Sequence, residues 1–577
     1  MVRKVVDAVM GREPFDTVIR NVQIVQVCSG EIIPGDIGIA SGKVAFVGNL
    51  EEDCQAGEVI EGNGRYAVPG FLDSHMHLES SMMTPAHFAE AVLPKGTTAV
   101  AADPHEIGNV MGAEGVSLLC EMTRDLPLHV YMMAPSTIPS APGFENSGAD
   151  IRAEEVRRML RFPGVIGLGE VMDFNGVADG DPRMMEIVQA ALESGLLLDG
   201  HVPAFKGRRL QAFAASGIDC DHTYMDPEIA AEKLRYGMCV QIQERFLTSE
   251  LMAYLERCPV QNRIMLVTDD VPLSRLASEG HLDSVVRKAI RLGLSPMKAI
   301  RYVTLNAADR LRLPRRGAIA PGRYADILLL DSLEEIRVSA VFSDGILVAK
   351  DGRMVRPLVS KPFPRSAYRT MKLAPLSEED FKVRAKGSRV LVNVIEQDGK
   401  TSRTELRQVW FPLRDGCLAM PEGIAKMAVF NRYGRTDGRQ IGFLSNMGGF
   451  RGALATTYAH DCHNLIVYGS NEADMCKAAN LLIECGGGVA AVRDGEVLSR
   501  IPLPIAGLLC EDPMPLLAEK FEGFVKAAKE MGLNHGEVLT FITLMALAVS
   551  PKVKLTDAGL VDAVNKKFLP LIVRTIE

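Results

Sequence analysis

The sequence predicts an α/β fold: a metal-dependent (β/α)8 barrel, a small composite β-domain built from both of its flanks, and an additional C-terminal α/β domain. Three observations carry that expectation. From Val68 onward, short apolar runs alternate with helical stretches, the pattern of repeated βα units around a parallel sheet. Six of the eight runs end in, or pass within a few residues into, a side chain able to bind a metal or move a proton. The segments before and after the runs alternate apolar and polar positions, as antiparallel strands exposed on one face do.

In chain order, residues 1–67 read as a polar leader followed by two alternating stretches, Asp16–Val25 and Ile37–Gly48, with Ser41-Gly42 as a hairpin turn. They are expected to form the first part of the small β-domain. The barrel is assigned to 68–312. Its eight runs are Val68–Asp73, Thr97–Asp103, Leu128–Ala134, Val165–Glu170, Leu196–His201, Gly217–His222, Met238–Gln243 and Arg263–Asp269. Residues 313–360 return to alternating strands and complete the small domain. After a Lys-, Pro- and Arg-rich linker near 361–375, residues 376–577 carry strands at Leu391–Ile395, Ala428–Phe430, Gly452–Tyr458, Asn464–Tyr468 and Gly488–Arg493. Helices are expected there at Glu472–Glu484, Pro515–Lys529 and Gly536–Ala548.

The first run, Val68-Pro-Gly-Phe-Leu-Asp-Ser-His75-Met-His77, places two histidines one residue apart at a strand end, with Pro69 and Gly70 marking where the strand begins. Side chains two apart on a strand share a face, so His75 and His77 are positioned to bind one cation. Either histidine alone reads more readily as a hydrogen-bonded core residue. The partners decide: Asp103 with His105, then Glu170, His201, His222 and Asp269 stand at later strand ends, which a barrel gathers on one face.

Bulk properties narrow the function classes. A chain of 577 residues, 47% apolar, buries large cores, and a net charge of −8 without a basic stripe argues for a small-molecule partner over nucleic acid. The eleven cysteines lack CxxC spacing and the N-terminal residues are charged where a signal peptide is apolar, so free thiols in a cytoplasmic protein are expected. The longest apolar stretch, Val538–Val549, falls short of the ~20 residues of a membrane span and reads as a core helix.

The ordered set of HxH, two strand-end histidines and a strand-end aspartate resembles the amidohydrolase superfamily, in which such groups hold one or two divalent metals. The surrounding wording, Pro69-Gly-Phe-Leu-Asp-Ser-His-Met-His-Leu-Glu-Ser-Ser-Met, Asp103-Pro-His-Glu-Ile-Gly-Asn-Val, Gly169-Glu-Val-Met and Leu503-Pro-Ile-Ala-Gly-Leu, resembles bacterial adenine deaminases over nearly the whole chain. The resemblance implies hydrolysis of adenine to hypoxanthine and ammonia, a purine-salvage reaction, by an enzyme that is expected to form a homo-oligomer. Many binuclear relatives bridge their metals with a carboxylated lysine on strand four. This sequence has Glu170 there, as adenine deaminases do, so Glu170 is expected to bridge.

The implied metal ligands are His75, His77, Glu170, His201, His222 and Asp269. Imidazole and carboxylate donors without thiolate suit Mn²⁺ or Fe²⁺ in a binuclear site, with Zn²⁺ also compatible. Asp269 is the expected acceptor of the proton of the attacking water, and Glu106 or His105 the group that handles protons at the ring. Pro104 fixes a turn after strand two, so His105 and Glu106 are expected over the pocket rather than within the next helix. A helix-start acidic residue is the simpler reading of Glu106. His87, in a helix, His129, and His281 and His535, in helical stretches, read as structural or solvent-facing. Ala459-His-Asp-Cys-His-Asn464 reads as a turn between two strands.

Two other readings stay open on sequence. Another amidohydrolase reaction, N-acetyl-sugar deacetylation or cyclic-amide hydrolysis, would use a similar centre. A non-catalytic interaction module would be signalled by lost ligands, and none is lost. The C-terminal unit is expected either to cover the barrel mouth or to build an oligomer contact.

Overall fold

The computed structural model describes residues 2–203 and 205–577; Met1 of the expected leader lies outside them. The rest of that leader is a helix, Val2–Val9, rather than an extended tail. Val2, Val5, Val6 and Val9 recur at helical spacing, and Ala8 packs with Phe15 and Val18. Strands Phe15–Gln26, Glu31–Ala40 and Lys43–Gly48 follow as an antiparallel meander. Ser41 and Gly42 form the two-residue turn between the last two, with φ of 52° and 72°, as the type I′ hairpin turn requires.

This sheet has nine strands and draws on both sides of the barrel sequence. Tyr66–Pro69 lies between Phe15–Gln26 and the much later strand Ile327–Leu330, with Val68 opposite Leu328. Val338–Ser343, Ile346–Lys350 and Arg353–Met354 extend it. The apolar run read as one strand from Val68 is therefore two. Val68 and Pro69 belong to the flanking sheet, and the first barrel strand begins at Phe71. Gly70 is the corner between them. A Cβ there would lie 2.2 Å from Thr98 Oγ1, so the chain turns from one sheet into the other only with a glycine.

The barrel strands are Phe71–Met76, Thr97–Ala102, His129–Ala134, Val165–Val171, Leu197–Gly200, Cys220–Asp221, Cys239–Gln243 and Ile264–Val267. All ladders between neighbours are parallel, in a group of five and a group of three. A bridge from Met76 to Asp269 joins the eighth strand to the first, with Asp269 N donating to His75 O at 3.2 Å. Across the other seam, Val202 N donates to Asp221 Oδ1 at 2.6 Å. Leu72, Ala99, Ala101, Met133, Leu197 and Met265 fill the interior, as in a packed barrel rather than a pore.

The C-terminal unit is built on a ten-stranded mixed sheet. The five expected strands are present, at Arg389–Gln397, Ala425–Phe430, Ala453–Thr456, Leu465–Gly469 and Gly488–Arg493. Thr404–Arg414, Arg439–Ser445 and Glu496–Pro502 were not read from the sequence, because each has exposed positions and carries too many polar residues to stand out as an apolar run. Helices Glu472–Cys485 and Met514–Glu530 match expectation, whereas the third covers only Val538–Leu544.

One apolar core runs through the junction of this unit with the barrel, joining Met83 and Phe88 to Ile505, Leu509 and Phe524. Cys510 N also donates to Met82 O at 2.7 Å. No helix among the described residues is long and apolar enough to cross a membrane. All eleven cysteines are free thiols.

Candidate metal centre

Strand alternation places His75 and His77 on the same side of the first barrel strand, His75 within it and His77 just past its end. Glu170 lies in the fourth strand, His201 and His222 directly follow the fifth and sixth, and Asp269 stands two residues beyond the eighth. All six converge. Asp269 has φ of 59°, a left-handed conformation rare for a side chain with a Cβ, and its carboxylate Oδ1 lies 3.2 Å from His77 Nε2 and 3.5 Å from His75 Nε2. Glu170 spans the cluster. Its Oε1 is 3.5 Å from His77 Nε2, while its Oε2 is 2.6 Å from His201 Nδ1 and 3.0 Å from His222 Nε2.

Neighbouring groups set the histidine tautomers. His77 Nδ1 donates to the carbonyl of Asp103 at 3.0 Å, and His75 Nδ1 donates to Asp199 Oδ2 at 2.9 Å. Both rings therefore offer Nε2 to the cluster, the arrangement in which an outer carboxylate or carbonyl orients a metal-ligating imidazole. Buried His75 Nε2 has no hydrogen-bond partner among the described residues.

The local field favours positive charge. Burial pulls His75 and His77 towards the neutral form, yet the carboxylates of Asp199 and Asp269 beside the first, and of Asp269 beside the second, hold both well above the ordinary histidine value. Burial likewise opposes charge on Glu170 and Asp269. His201 and His222 beside the former, and His75 and His77 beside the latter, keep both carboxyls well below their usual range. Two anionic carboxylates among four imidazoles, three of them buried and that of His201 about one-third exposed at 33%, make a donor set that fits a divalent cation.

Asp199 was not singled out from sequence, although it precedes His201 by two residues in the same run and so shares its strand face. Asp103 Oδ2 accepts from Glu170 N at 2.7 Å, tying the second strand to the backbone of the fourth. Arg245 Nη2 reaches Asp269 Oδ2 at 3.1 Å.

His105 and Glu106 correct one expectation, since they are the first two residues of helix His105–Met111 rather than a loop ahead of it. They are nevertheless buried beside the cluster. His105 Nδ1 is 3.6 Å from Glu170 Oε1, and its Nε2 is 3.6 Å from Glu106 Oε1. The C-terminal turn meets them there: His460 Nδ1 lies 2.5 Å from Glu106 Oε1, and His463 Nε2 contacts Glu106 Oε2.

The remaining histidines have structural partners. His87 contacts Glu90, and His129 contacts Ser343. His281 pairs with Thr97, and burial takes its pKa down to about 3. It precedes helix Leu282–Arg291, and His535 lies between two helices near Thr401 O, so neither is inside a helix.

Comparison with known proteins agrees with this architecture. Residues 66–355 match the amidohydrolase family, and residues 401–567 match the adenine deaminase C-terminal domain. The chain is 41% identical over 584 residues to an adenine deaminase of Moorella thermoacetica, covering 99% of this chain and 98% of that protein. It is 39% identical over 577 residues to an adenine deaminase of Klebsiella pneumoniae, covering 99% and 96% respectively. A third relative, adenine deaminase 2 of Rhizobium johnstonii, is 39% identical over 579 residues, or 98% and 96% of the two chains. With both parts matched and relatives aligned from end to end, the chain belongs to the adenine deaminase family of amidohydrolases.

Proposed function

We infer that this chain is an adenine aminohydrolase, converting adenine and water to hypoxanthine and ammonia, and that it serves purine salvage. The observation that carries the reading is the convergence of His75, His77, Glu170, His201, His222 and Asp269 in a chain that matches adenine deaminases along its whole length. We assign these six residues as ligands of a binuclear centre of Mn²⁺ or Fe²⁺, with Zn²⁺ also compatible with the donors. Glu170, whose two oxygens face different histidines, would be the carboxylate shared between the two ions. A divalent metal held there supplies Lewis acidity, lowering the pKa of water from 15.7 to about 7.

The chain's own groups do the rest. Hydrolysis forms a C6–O bond and breaks the C6–N bond; ring nitrogen N1 gains a proton as C6 becomes tetrahedral, and the amino group gains one to leave as ammonia. Asp269, at the mouth of the eighth strand, accepts the proton lost by the attacking water. Glu106, with His105 between it and Glu170, handles protons at the ring. Asp199 and the Asp103 carbonyl orient His75 and His77. The free cysteines accord with a reducing cytoplasm, and we assign the protein there.

The test is ammonia release from a panel of adenine, other aminopurines, cyclic amides and N-acetyl sugars, with elemental analysis of the same sample. Selective release from adenine by protein holding two metals per chain is expected. Turnover confined to amides or acetyl groups would overturn the assignment.

A further inference from the structure

Glu106 is fully buried, and its two oxygens meet side chains from a part of the chain more than three hundred residues away: His460 Nδ1 at 2.5 Å from Oε1, and His463 Nε2 on Oε2. Both histidines lie on the turn between strands Ala453–Thr456 and Leu465–Gly469. Its geometry dictates what each ring can do. Ala459 N donates to His463 Nδ1 at 3.1 Å, so that nitrogen carries a lone pair and the proton sits on Nε2, aimed at Glu106. His463 is thus a neutral, fixed donor. Among the described residues His460 has no such tautomer lock, and its Nδ1 faces the other carboxylate oxygen as an ion pair.

The turn is held rigidly by its own unit. Arg432, buried, donates from Nε to His463 O at 2.5 Å, from Nη2 to Ala506 O at 2.8 Å and from Nη1 to Thr370 Oγ1 at 3.0 Å. Tyr433 Oη donates to Cys462 O at 2.5 Å, and His460 N donates to Thr543 O at 3.0 Å. A buried arginine with this many fixed bonds preorganises the turn before it meets the barrel.

We propose that the C-terminal unit completes the catalytic site: His460 and His463 clamp the two oxygens of Glu106 and hold it as an oriented carboxylate that relays a proton to the ring beside the metal centre. The proposal deepens the aminohydrolase reading and rests on it. It also gives the C-terminal unit a chemical role, since both imidazoles that meet the Glu106 oxygens come from it, His463 as a hydrogen-bond donor and His460 as an ion-pair partner. His460 and His463 are positioning residues, acting through Glu106.

The charges around Glu106 come from four elements. On its own helix stands His105; Glu79, from the turn after the first strand, and Asp270, after the eighth, add negative charge; Tyr458, His460, Asp461 and His463 come from the C-terminal turn. Burial and the neighbouring carboxylates favour a protonated Glu106. His460 and His463 outweigh them and keep it well below the usual carboxyl range, while Glu79, with no such clamp, is pushed up to about 8, chiefly by burial.

The experiment uses full-length metal-loaded enzyme and four variants. His460→Ala removes the ion-pair partner of Oε1, and His463→Ala the donor to Oε2. His460→Asn keeps a donor near the Nδ1 position without the charge, and His463→Gln keeps one near the Nε2 position. Expected are two metals per chain throughout, a fall in kcat of about tenfold or more for both alanine variants, and substantial recovery in His463→Gln, within the range ascribed to a positioned proton-transfer group. In His460→Ala and His460→Asn the acid limb of the kcat/KM profile should move up by about one pH unit, because an uncharged partner no longer favours the Glu106 anion. A purely structural role would lower Tm and leave that limb in place. If the alanine variants fail to fold, His460→Asn and His463→Gln decide the matter by the same profile. Wild-type kinetics and profile in the folded variants would overturn the proposal. So would loss of a third metal equivalent in His460→Ala, which would mean that His105, Glu106, His460 and Asp461 hold a cation instead. A wild-type protein that releases no ammonia from adenine would instead overturn the parent reading.

Discussion

Asp199 Oδ2 accepts a hydrogen bond from His75 Nδ1 at 2.9 Å, with both side chains almost wholly buried, and so turns Nε2 of His75 into the centre. Burial opposes charge on Asp199, but His75 and Arg310 hold its carboxyl down at about 2. Replacing Asp199 with alanine frees the ring to rotate or change tautomer. Metal affinity should fall about 10–100-fold, the usual effect of deleting such an orienting partner. A metal titration showing unchanged affinity would remove Asp199 from this role.

Asp269→Ala should abolish adenine turnover, since it removes a ligand and the acceptor of the water proton together. The residue lies two positions beyond the eighth strand and its φ of 59° is strained, so the fold should survive its loss. Ammonia release at background with a Tm within a few degrees of wild type is the expected pair of results. Near-normal turnover by the folded variant would refute the assignment.

Glu170→Gln should bind less metal, because it removes one negative charge from a site built to hold up to +4. Reconstitution of the wild type should not depend on bicarbonate, in contrast to a centre bridged by carboxylated lysine. Elemental analysis after reconstitution with and without bicarbonate reads both points. Full occupancy in the variant would count against bridging.

Lys554 gives a stability prediction remote from the active site. It is buried in strand Val553–Leu555, and burial takes its pKa down to about 7, only partly offset by Asp398. An unfolded lysine titrates near 10.4, so between about pH 7 and 10.4 the unfolded chain binds more protons than the folded one and stability rises with pH. Below about pH 7 the penalty of the buried lysine is present in full. Lys554→Met should therefore raise Tm most at pH 6 and progressively less as pH approaches 10, even though it forfeits the hydrogen bond to Ser402 O. A Tm difference that does not change with pH would show that Lys554 keeps its ordinary pKa.

Much of the barrel was legible in the sequence because its cues are local. A period of two put His75 and His77 on one side of a strand, and the βα rhythm placed Glu170, His201, His222 and Asp269 at the ends of later strands. Adjacent elements blurred the same cues. Val68–Asp73 looks like a single apolar run, and only the strand pairings, Val68 with Leu328 and Phe71 with Thr97, show that it divides between two sheets. Thr404–Arg414 escaped notice because much of it faces solvent and its polar residues mask the strand.

The sequence by itself determined which residues point to one face of each element and in what order they recur, since alternation depends on backbone geometry within a few residues. Tertiary structure alone decided the pairings. Asp199 against His75, Glu170 between His77 and His201, and Glu106 between His460 and His463 join positions far apart in the chain. Their proximity depends on how the barrel closes and how Arg432 anchors the C-terminal turn, long-range packing that no local period encodes.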